Sequence, residues 1–101
     1  MLTFQIHFIT AWNDYFTGSP NLQLSKEYGA TQTLSGTNVY VLNCLFRSCT
    51  SSNHGGAFYC TSVTCLLVES SSFFSCKTSS NNGGAIFFSC SGGQCVLDEV
   101  C

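Results

Sequence analysis

The residues of this sequence with the most chemical potential are its eight cysteines, in a chain of 101 residues. Thiols can form disulfides, pack as small buried groups or bind metal ions. Three cysteine pairs have four intervening residues, at the upper limit of the gap of two to four that zinc sites favour. Metal binding is the weakest of these interpretations, and we expect no metal and no other cofactor. The pairs are Cys44/Cys49, Cys60/Cys65 and Cys90/Cys95.

Most of these cysteines lie in two tracts that nearly repeat each other. Each tract has a phenylalanine, a cysteine three positions later and, after a polar loop, a Gly-Gly-Ala run. The first holds Phe46, Cys49, Gly55, Gly56 and Ala57, and the second holds Phe73, Cys76, Gly83, Gly84 and Ala85. The pair Cys60/Cys65 then recurs as Cys90/Cys95, so the period lengthens slightly along the chain. A period of roughly 20–50 residues is typical of a solenoid.

Each period also carries the composition of short β-strands. Runs of β-branched and aromatic residues are interrupted by clusters of Ser, Asn and Gly, which is a strand-and-turn pattern. We expect strands near 45–47, 57–60 and 65–68 in the first copy. Three strands in one period of this length predict one coil of an all-β, right-handed parallel β-helix. The right-handed winding is expected because nearly all parallel crossovers have that hand.

The repeat divides the chain into a series of about three coils. A degraded coil is expected over 29–43, full coils over 44–70 and 71–100, and the start of a further coil at Cys101. Residues 1–28 match no repeat and are interpreted as an N-terminal cap, with alternating Phe4, Ile6 and Phe8 suggesting a strand. The lack of basic residues in front of this segment argues against a signal peptide.

Stacked coils would place equivalent residues in columns at the ~4.8 Å strand spacing. The expected columns are Phe46/Phe73, Val39/Leu66/Val96, Val41/Val68/Asp98, Glu69/Glu99, Cys44/Cys101, Cys49/Cys76, Cys60/Cys90 and Cys65/Cys95. Neighbours in a column meet the distance requirement of a disulfide. Cross-coil disulfides Cys49–Cys76, Cys60–Cys90 and Cys65–Cys95 are therefore feasible, and a ladder of buried thiols is the equal alternative. Cys44 and Cys101 lie two coils apart and cannot pair.

The motifs resemble a known repeat family. Gly-Gly-Ala-Ile at 83–86, Gly-Gly-Ala-Phe at 55–58 and the two Phe-x-x-Cys steps are similar to the alternating motifs of polymorphic outer membrane proteins. Their Cys-rich style is closest to the repeats of trichomonad surface-type proteins. The resemblance covers 29–101 and implies a right-handed parallel β-helix displayed at a cell surface. The membrane β-barrel of bacterial family members has no counterpart in this sequence.

The charged residues give no catalytic or nucleic-acid-binding pattern. Glycoside hydrolysis requires two carboxylates that face one bond, whereas Glu69 and Glu99 are expected to stack in one exposed file. Only three Lys and Arg residues are present, with a net charge of −2, so no basic patch for nucleic acid can form. We expect no enzyme and no catalytic residue, and the remnant of a carbohydrate-active β-helix enzyme is the least favoured interpretation.

Two functions remain open at this point. The chain is expected to be an adhesion or recognition module, secreted or at a cell surface, which binds a host or neighbouring cell-surface protein or glycan. The alternative is a truncated structural fragment or paralogue without independent function, which associates with further coils or with itself through open ends. No apolar run is long enough to predict a transmembrane segment.

Overall fold

The chain folds into short, parallel β-strands, as the computed structural model describes for residues 12–52, 54–79, 84–90 and 92–101. Strands are favoured because β-branched and aromatic residues occur in short runs between turn residues. The strands of the described residues are β1 (Asn21–Leu24), β2 (Glu27–Tyr28), β3 (Gln32–Leu34), β4 (Asn38–Leu42), β5 (Leu45–Arg47), β6 (Thr50–Ser51), β7 (Phe58–Cys60), β8 (Cys65–Glu69), β9 (Ser72–Phe74), β10 (Lys77–Thr78), β11 (Ile86–Phe88) and β12 (Gln94–Asp98). The expected all-β class is confirmed.

The strands form four separate sheets in the described part of the chain. Their orders are β1-β4-β8-β12, β2-β5-β9, β3-β7-β11 and β6-β10. Every pair is parallel, and each strand pairs with the next strand of its sheet in chain order. We call 21–34, 38–60 and 65–88 the first, second and third layers, because each contributes at most one strand to each sheet. Strand β12 lies beside the third layer.

The stacked strands begin earlier in the chain than the repeat does. Strands β1 and β2 pair with β4 and β5, so that Asn21 lies beside Val39 and Glu27 beside Leu45. The first layer is shorter than the second because its described residues include no strand equivalent to β6 and no loop like 52–56. Part of the segment 1–28, which was interpreted as a cap, therefore stacks on the second layer. The expected strand at Phe4–Phe8 lies outside the described residues.

A buried apolar cluster fills the space between the sheets. Val39, Val41, Leu66 and Val68 enter it from the four-stranded sheet, and Phe46 enters from β5, all essentially without solvent exposure. The valines and Leu66 are alternate residues of β4 and β8, as expected for strands whose successive side chains point to opposite faces. This main cluster holds the layers together through apolar burial, since its members carry no charged side chain.

The other face of the four-stranded sheet is also buried. Tyr40 and Leu67 point away from the main cluster and are covered by Trp12 and Phe16, which form a second cluster with them. The segment that carries these two rings forms a single turn, in which the Phe16 amide donates to the Trp12 carbonyl at 3.0 Å. A sheet that is apolar on both faces explains why β4 is a continuous apolar run from Val39 onward. The repeat pattern of the sequence does not predict this second cluster.

Candidate functional site

The cysteines at 44, 49 and 76 share one local conformation with Ser71. Each follows a residue with positive φ that ends a strand: Asn43, Ser48, Ser70 and Ser75, with φ between 51° and 57°. Asn and Ser adopt this left-handed region at lower cost than β-branched residues. The chain thereby turns from one sheet to the next within a connection of two residues.

At each of these corners a small side chain donates to the carbonyl two positions earlier. The donor–acceptor distances are 3.5 Å from Cys44 to Leu42, 3.8 Å from Cys49 to Arg47, 3.0 Å from Ser71 to Glu69 and 3.7 Å from Cys76 to Phe74. The three thiols also reach a carbonyl of the preceding layer, namely those of Gln23, Tyr28 and Phe46. The Phe-x-x-Cys motif is therefore a corner that needs a compact hydrogen-bond donor.

Cys49 and Cys76 lie next to each other on successive layers. They directly precede the paired residues Thr50 and Lys77, and the Lys77 amide donates to the Cys49 carbonyl at 2.9 Å. Burial, together with the neighbouring Cys76 thiol, raises the pKa of Cys49 to about 11. The expected alignment of this pair is confirmed, whereas its oxidation state stays a prediction.

The register of β12 differs from the expected one by a single position. Cys65 lies beside Gln94, and Cys95 lies beside Leu66. The expected Cys65/Cys95 column is therefore wrong, and so is the third member of Val39/Leu66/Val96. Because successive side chains alternate between the two faces of a strand, Cys95 points toward the side of the main cluster. Cys65 packs against the second cluster, which contains Trp12.

Three other expected columns change in the same way. Asp98, and not Glu99, lies beside Glu69, while Leu97 replaces Asp98 as the neighbour of Val68. Cys101 exchanges backbone hydrogen bonds with Ser71 and Phe73, which brings Val100 rather than Cys101 beside Ser71 in the Cys44 column. The physical reason is burial: this register keeps the Asp98 carboxylate out of the main cluster.

Cys60 and Cys90 are not aligned either. Cys60 lies beside Phe88 in the third layer and beside Leu34 in the first layer. Leu34 and Phe88 both pack on the main cluster, so this column is apolar wherever it can be followed. Burial raises the pKa of Cys60 to about 12, with a smaller contribution from Cys95.

An aromatic stack runs through the interior along the layers. The ring centroids of Phe46 and Phe73 are 4.9 Å apart with planes 6° from parallel, and Tyr28 stacks on the other side of Phe46 at 4.9 Å. Phe58 meets Phe46 edge-on at 4.5 Å. The expected Phe46/Phe73 stacking is confirmed, and Tyr28 extends it into the first layer. Such pairs stabilise by about 0.5–1.5 kcal/mol beyond their burial.

The first Gly-Gly-Ala run forms a tight corner. Gly55 has a φ of 68°, and a Cβ there would overlap the Phe58 carbonyl oxygen. A Cβ on Gly56 would lie 2.5 Å from the Lys77 amide nitrogen, and Ala57 is fully buried. Only glycine fits these two positions, as the sequence indicated. In the second copy Gly84 has open space around it, and Gly83 lies outside the described residues.

Three aromatic rings form a group on the outer face of β7 and β11. His54 stacks on Phe87 with centroids 4.3 Å apart, and Tyr59 stacks on Phe87 at 5.6 Å. We call His54, Tyr59 and Phe87 the outer aromatic group. All three side chains are half-buried, so part of each ring faces solvent. The sequence signal for this group is the alternation of Tyr59 and Phe87 with inward-facing residues of their strands.

Carboxylates gather at one edge of the four-stranded sheet. The Tyr40 hydroxyl donates to Glu69 at 2.5 Å, and burial together with this bond raises the Tyr40 pKa. The charge of Asp98, with smaller contributions from burial, Glu69 and Asp14, raises the pKa of Tyr15 nearby.

A shallow open cavity of about 330 Å³ lies beside this edge. It is lined by Cys65 and Gln94 and by residues 13–17. Among these lining residues Asp14 is the only charged one. The cavity therefore does not present the pair of facing carboxylates that glycoside hydrolysis uses.

The described residues contain no group of three or more His, Cys, Asp or Glu side chains arranged to hold a metal ion. Within the same residues, no helix is long and apolar enough to cross a membrane. Comparison with protein-family models, with curated proteins and with solved structures finds no match for this chain.

Proposed function

We propose that this chain is a non-catalytic repeat module with the architecture of a right-handed parallel β-helix, belonging to a surface-exposed or secreted recognition protein. The observation that carries the proposal is the in-register stacking of equivalent residues. Phe46 lies beside Phe73, and Tyr28 lies beside Phe46. The strands that carry these residues are adjacent in the sheet but belong to successive layers of the chain. Column-by-column identity of this kind is what repeats of a solenoid require, because each repeat buries its apolar face on its neighbour.

The connections between strands support the same architecture. Strands that follow one another in the chain lie in different sheets. Connections of two residues, the first of which has positive φ, join β4 to β5 and β5 to β6. The same turns recur at β8–β9 and β9–β10 in the third layer. A chain that turns repeatedly into the next sheet, and whose strands pair only with equivalent strands of the neighbouring layers, has the path of a coil. Right-handed winding is proposed because parallel crossovers have that hand in almost all proteins.

The outer aromatic group supports a role in recognition. Recognition surfaces combine aromatic rings that bury apolar area with uncharged polar neighbours. Phe87 and Tyr59 provide the rings, and the surrounding chain is rich in Ser, Thr and Asn with only 8% charged residues. The partner class that fits this surface is a protein or glycan on a host cell or a neighbouring cell.

Binding of the folded monomer to cell surfaces and to an immobilised glycan array tests the proposal. The full chain is compared with Phe87→Ala and Tyr59→Ala, and with Phe74→Ala as a matched control on β9. Phe74 is equally aromatic and 60% exposed, but it lies outside the outer aromatic group. We expect saturable binding that weakens at least tenfold in the first two variants, about 1.4 kcal/mol, and is unchanged in the control. A folded monomer without saturable binding would contradict recognition.

The uncovered side of the third layer favours a second candidate, a structural module that only stacks with further coils or with itself. Leu97 points in the same direction as the buried Val68 but is 54% exposed, because no described layer covers it. Strands β10, β11 and β12 each stand at the edge of their sheet on this side, whereas the edge of β9 is partly paired with Cys101. Unpaired edges of this kind associate readily. Concentration-dependent self-association together with no binding to cells or glycans would support this candidate over recognition.

A further inference from the structure

Two thiols from successive layers meet at one corner of the fold. Cys49 and Cys76 occupy equivalent positions after Ser48 and Ser75, directly before the paired residues Thr50 and Lys77. Adjacent parallel strands are about 4.8 Å apart, which lies within the Cα separation of about 4.4–6.8 Å that disulfides require. The observed register leaves Cys60 beside Phe88 and Cys65 beside Gln94, so neither of those cysteines is aligned with another cysteine.

The two thiols differ in their access to solvent. Cys49 is fully buried in the main cluster, whereas Cys76 is only half-buried at its edge. A small reagent can therefore reach Cys76 without opening the second layer. It reacts with Cys49 only after it has first reacted with Cys76. This arrangement gives the two residues different tasks, since thiol–disulfide exchange proceeds through a mixed disulfide that a second thiol resolves.

We propose that Cys49 and Cys76 form a redox pair in which Cys76 is the entry thiol and Cys49 the resolving thiol, and which closes into a disulfide between the second and third layers. The oxidant is a small-molecule disulfide, RSSR. In the register of the described strands, Cys60, Cys65 and Cys95 lie beside Phe88, Gln94 and Leu66, whereas Cys49 and Cys76 occupy equivalent positions on adjacent layers.

The exchange balances in two steps. The Cys76 thiolate attacks one sulfur of RSSR, which forms a Cys76–SR bond and releases one RS⁻. The Cys49 thiolate then attacks the Cys76 sulfur, which breaks the Cys76–SR bond and releases the second RS⁻. Each cysteine loses one electron and RSSR gains two, while the two thiol protons end on two RSH molecules. Because burial raises the pKa of Cys49, the second step is the slower one and accelerates as the pH rises toward 11.

The disulfide would tie together layers that are otherwise joined by backbone pairing and apolar contact. It closes a loop that spans one whole repeat, from Cys49 to Cys76, and such cross-links reduce the conformational entropy of the unfolded chain. The Phe74 carbonyl, which loses the Cys76 donor on oxidation, keeps the Ser48 amide as a donor at 2.7 Å. The corner thus tolerates the loss of that S–H group.

Disulfide mapping of the full chain tests the proposal. The reduced protein is incubated with oxidised glutathione, quenched in acid, alkylated and digested with pepsin, because acid prevents exchange during digestion. The variants are Cys49→Ser and Cys76→Ser, with Cys65→Ser as the matched control. Serine is chosen because Ser71 already occupies an equivalent corner with the same type of hydrogen bond.

We expect a Cys49–Cys76 disulfide in the wild type and in Cys65→Ser, and a rise in Tm of at least about 5 °C on oxidation. Cys49→Ser is expected to stop at a stable glutathione adduct on Cys76, whereas Cys76→Ser leaves Cys49 unmodified. A dominant disulfide between any other cysteines of the wild type would overturn the proposal. Retention of both thiols while the exposed Cys95 and Cys101 are oxidised would overturn it as well.

Discussion

Cys95 lies beside Leu66 on adjacent parallel strands, and not beside Cys65 as their sequence spacing suggested. A shift of one position exchanges the two faces of a strand, so this relationship decides which side chains of β12 face the interior. It directs Leu97 toward the interior beside Val68 and leaves Asp98 beside Glu69 at the sheet edge. The register is therefore set by the cost of burying a carboxylate rather than by the alignment of cysteines.

The register of β12 predicts opposite responses at two adjacent positions. Leu97→Asp places a carboxylate beside the buried Val68 at a position that is 54% exposed, and we expect the free energy of unfolding to fall by about 1 kcal/mol. Asp98→Asn, the control, should change it by less than about 0.5 kcal/mol. Urea denaturation in reducing buffer measures both. A larger effect at Asp98 than at Leu97 would restore the alignment of Cys95 with Cys65.

The interior aromatic stack predicts a large loss of stability on truncation. Phe46 is fully buried between Tyr28 and Phe73, so Phe46→Ala removes ring contacts on both sides and leaves a cavity. We expect a loss of about 3–5 kcal/mol, against less than about 1 kcal/mol for the exposed Phe74→Ala. Trp12 is the only tryptophan and is buried, so its fluorescence follows unfolding. Equal effects of the two substitutions would show that Phe46 is not interior.

Gly56 predicts an effect that depends on the neighbouring layer. Gly56→Ala would bring a Cβ within 2.5 Å of the Lys77 amide nitrogen and 2.7 Å of the Gly84 carbonyl oxygen. The third layer must shift to accept it, and we expect a loss of about 1–3 kcal/mol by thermal or urea unfolding. Gly29→Ala serves as the control, because no atom lies within 4 Å of its added Cβ. Unchanged stability in Gly56→Ala would mean that the layers are not stacked as described.

Ser71 tests whether the corners need a hydrogen-bond donor and acceptor. Its Oγ donates to the Glu69 carbonyl and accepts from the buried Cys44 amide at 3.1 Å. Ser71→Ala leaves that amide unsatisfied, and we expect a loss of about 1–3 kcal/mol. Ser71→Cys should cost clearly less, because cysteine occupies the equivalent corner at Cys44. The exposed Ser72→Ala is the control, and a Ser71→Cys variant as unstable as Ser71→Ala would refute the equivalence of the corners.

The buried thiols predict a loss of stability at alkaline pH. The folded-state pKa values of Cys49 and Cys60 are raised to about 11 and about 12 from an ordinary value of 9.0. The folded state therefore binds more protons than the unfolded state between these values, and stability falls as the pH rises above 9. Urea unfolding across pH 8–11 measures how steeply the free energy of unfolding falls with pH. We expect Cys60→Ala to have a shallower slope than the wild type, and the exposed Ser72→Ala, which removes no titratable group, to leave the slope unchanged.

The variants are compared by the slope of their unfolding free energy against pH, because Cys60→Ala also changes the stability at neutral pH. Tyr40, whose pKa is raised by burial, titrates in the same direction and is present in every variant. The difference between the wild type and Cys60→Ala therefore isolates the Cys60 thiol. A slope that does not depend on Cys60 would mean that this thiol is accessible to solvent in the folded protein.

The sequence predicted the strands, their parallel stacking and the Phe46/Phe73 column, because these depend on composition and on a repeat of whole motifs. It missed the register of β12 because the Cys-x4-Cys spacing is a local pattern, whereas register is decided by burial across layers. It also missed the second cluster, because nothing in the repeat indicates that Trp12 covers the outer side of Tyr40. The Cys49–Cys76 corner was identified by alignment, but its hydrogen bonds depend on the positive φ of Ser48 and Ser75.

The most direct test of the stacked register is a set of nuclear Overhauser contacts in the isotopically labelled chain under reducing conditions. The structure predicts contacts between the methyl groups of Val68 and Leu97, and between the rings of Phe46 and Phe73. Backbone contacts should follow the parallel pattern of Leu66 with Cys95. Contacts that pair Leu66 with Val96, or the close Hα–Hα contacts of antiparallel strands, would contradict the account.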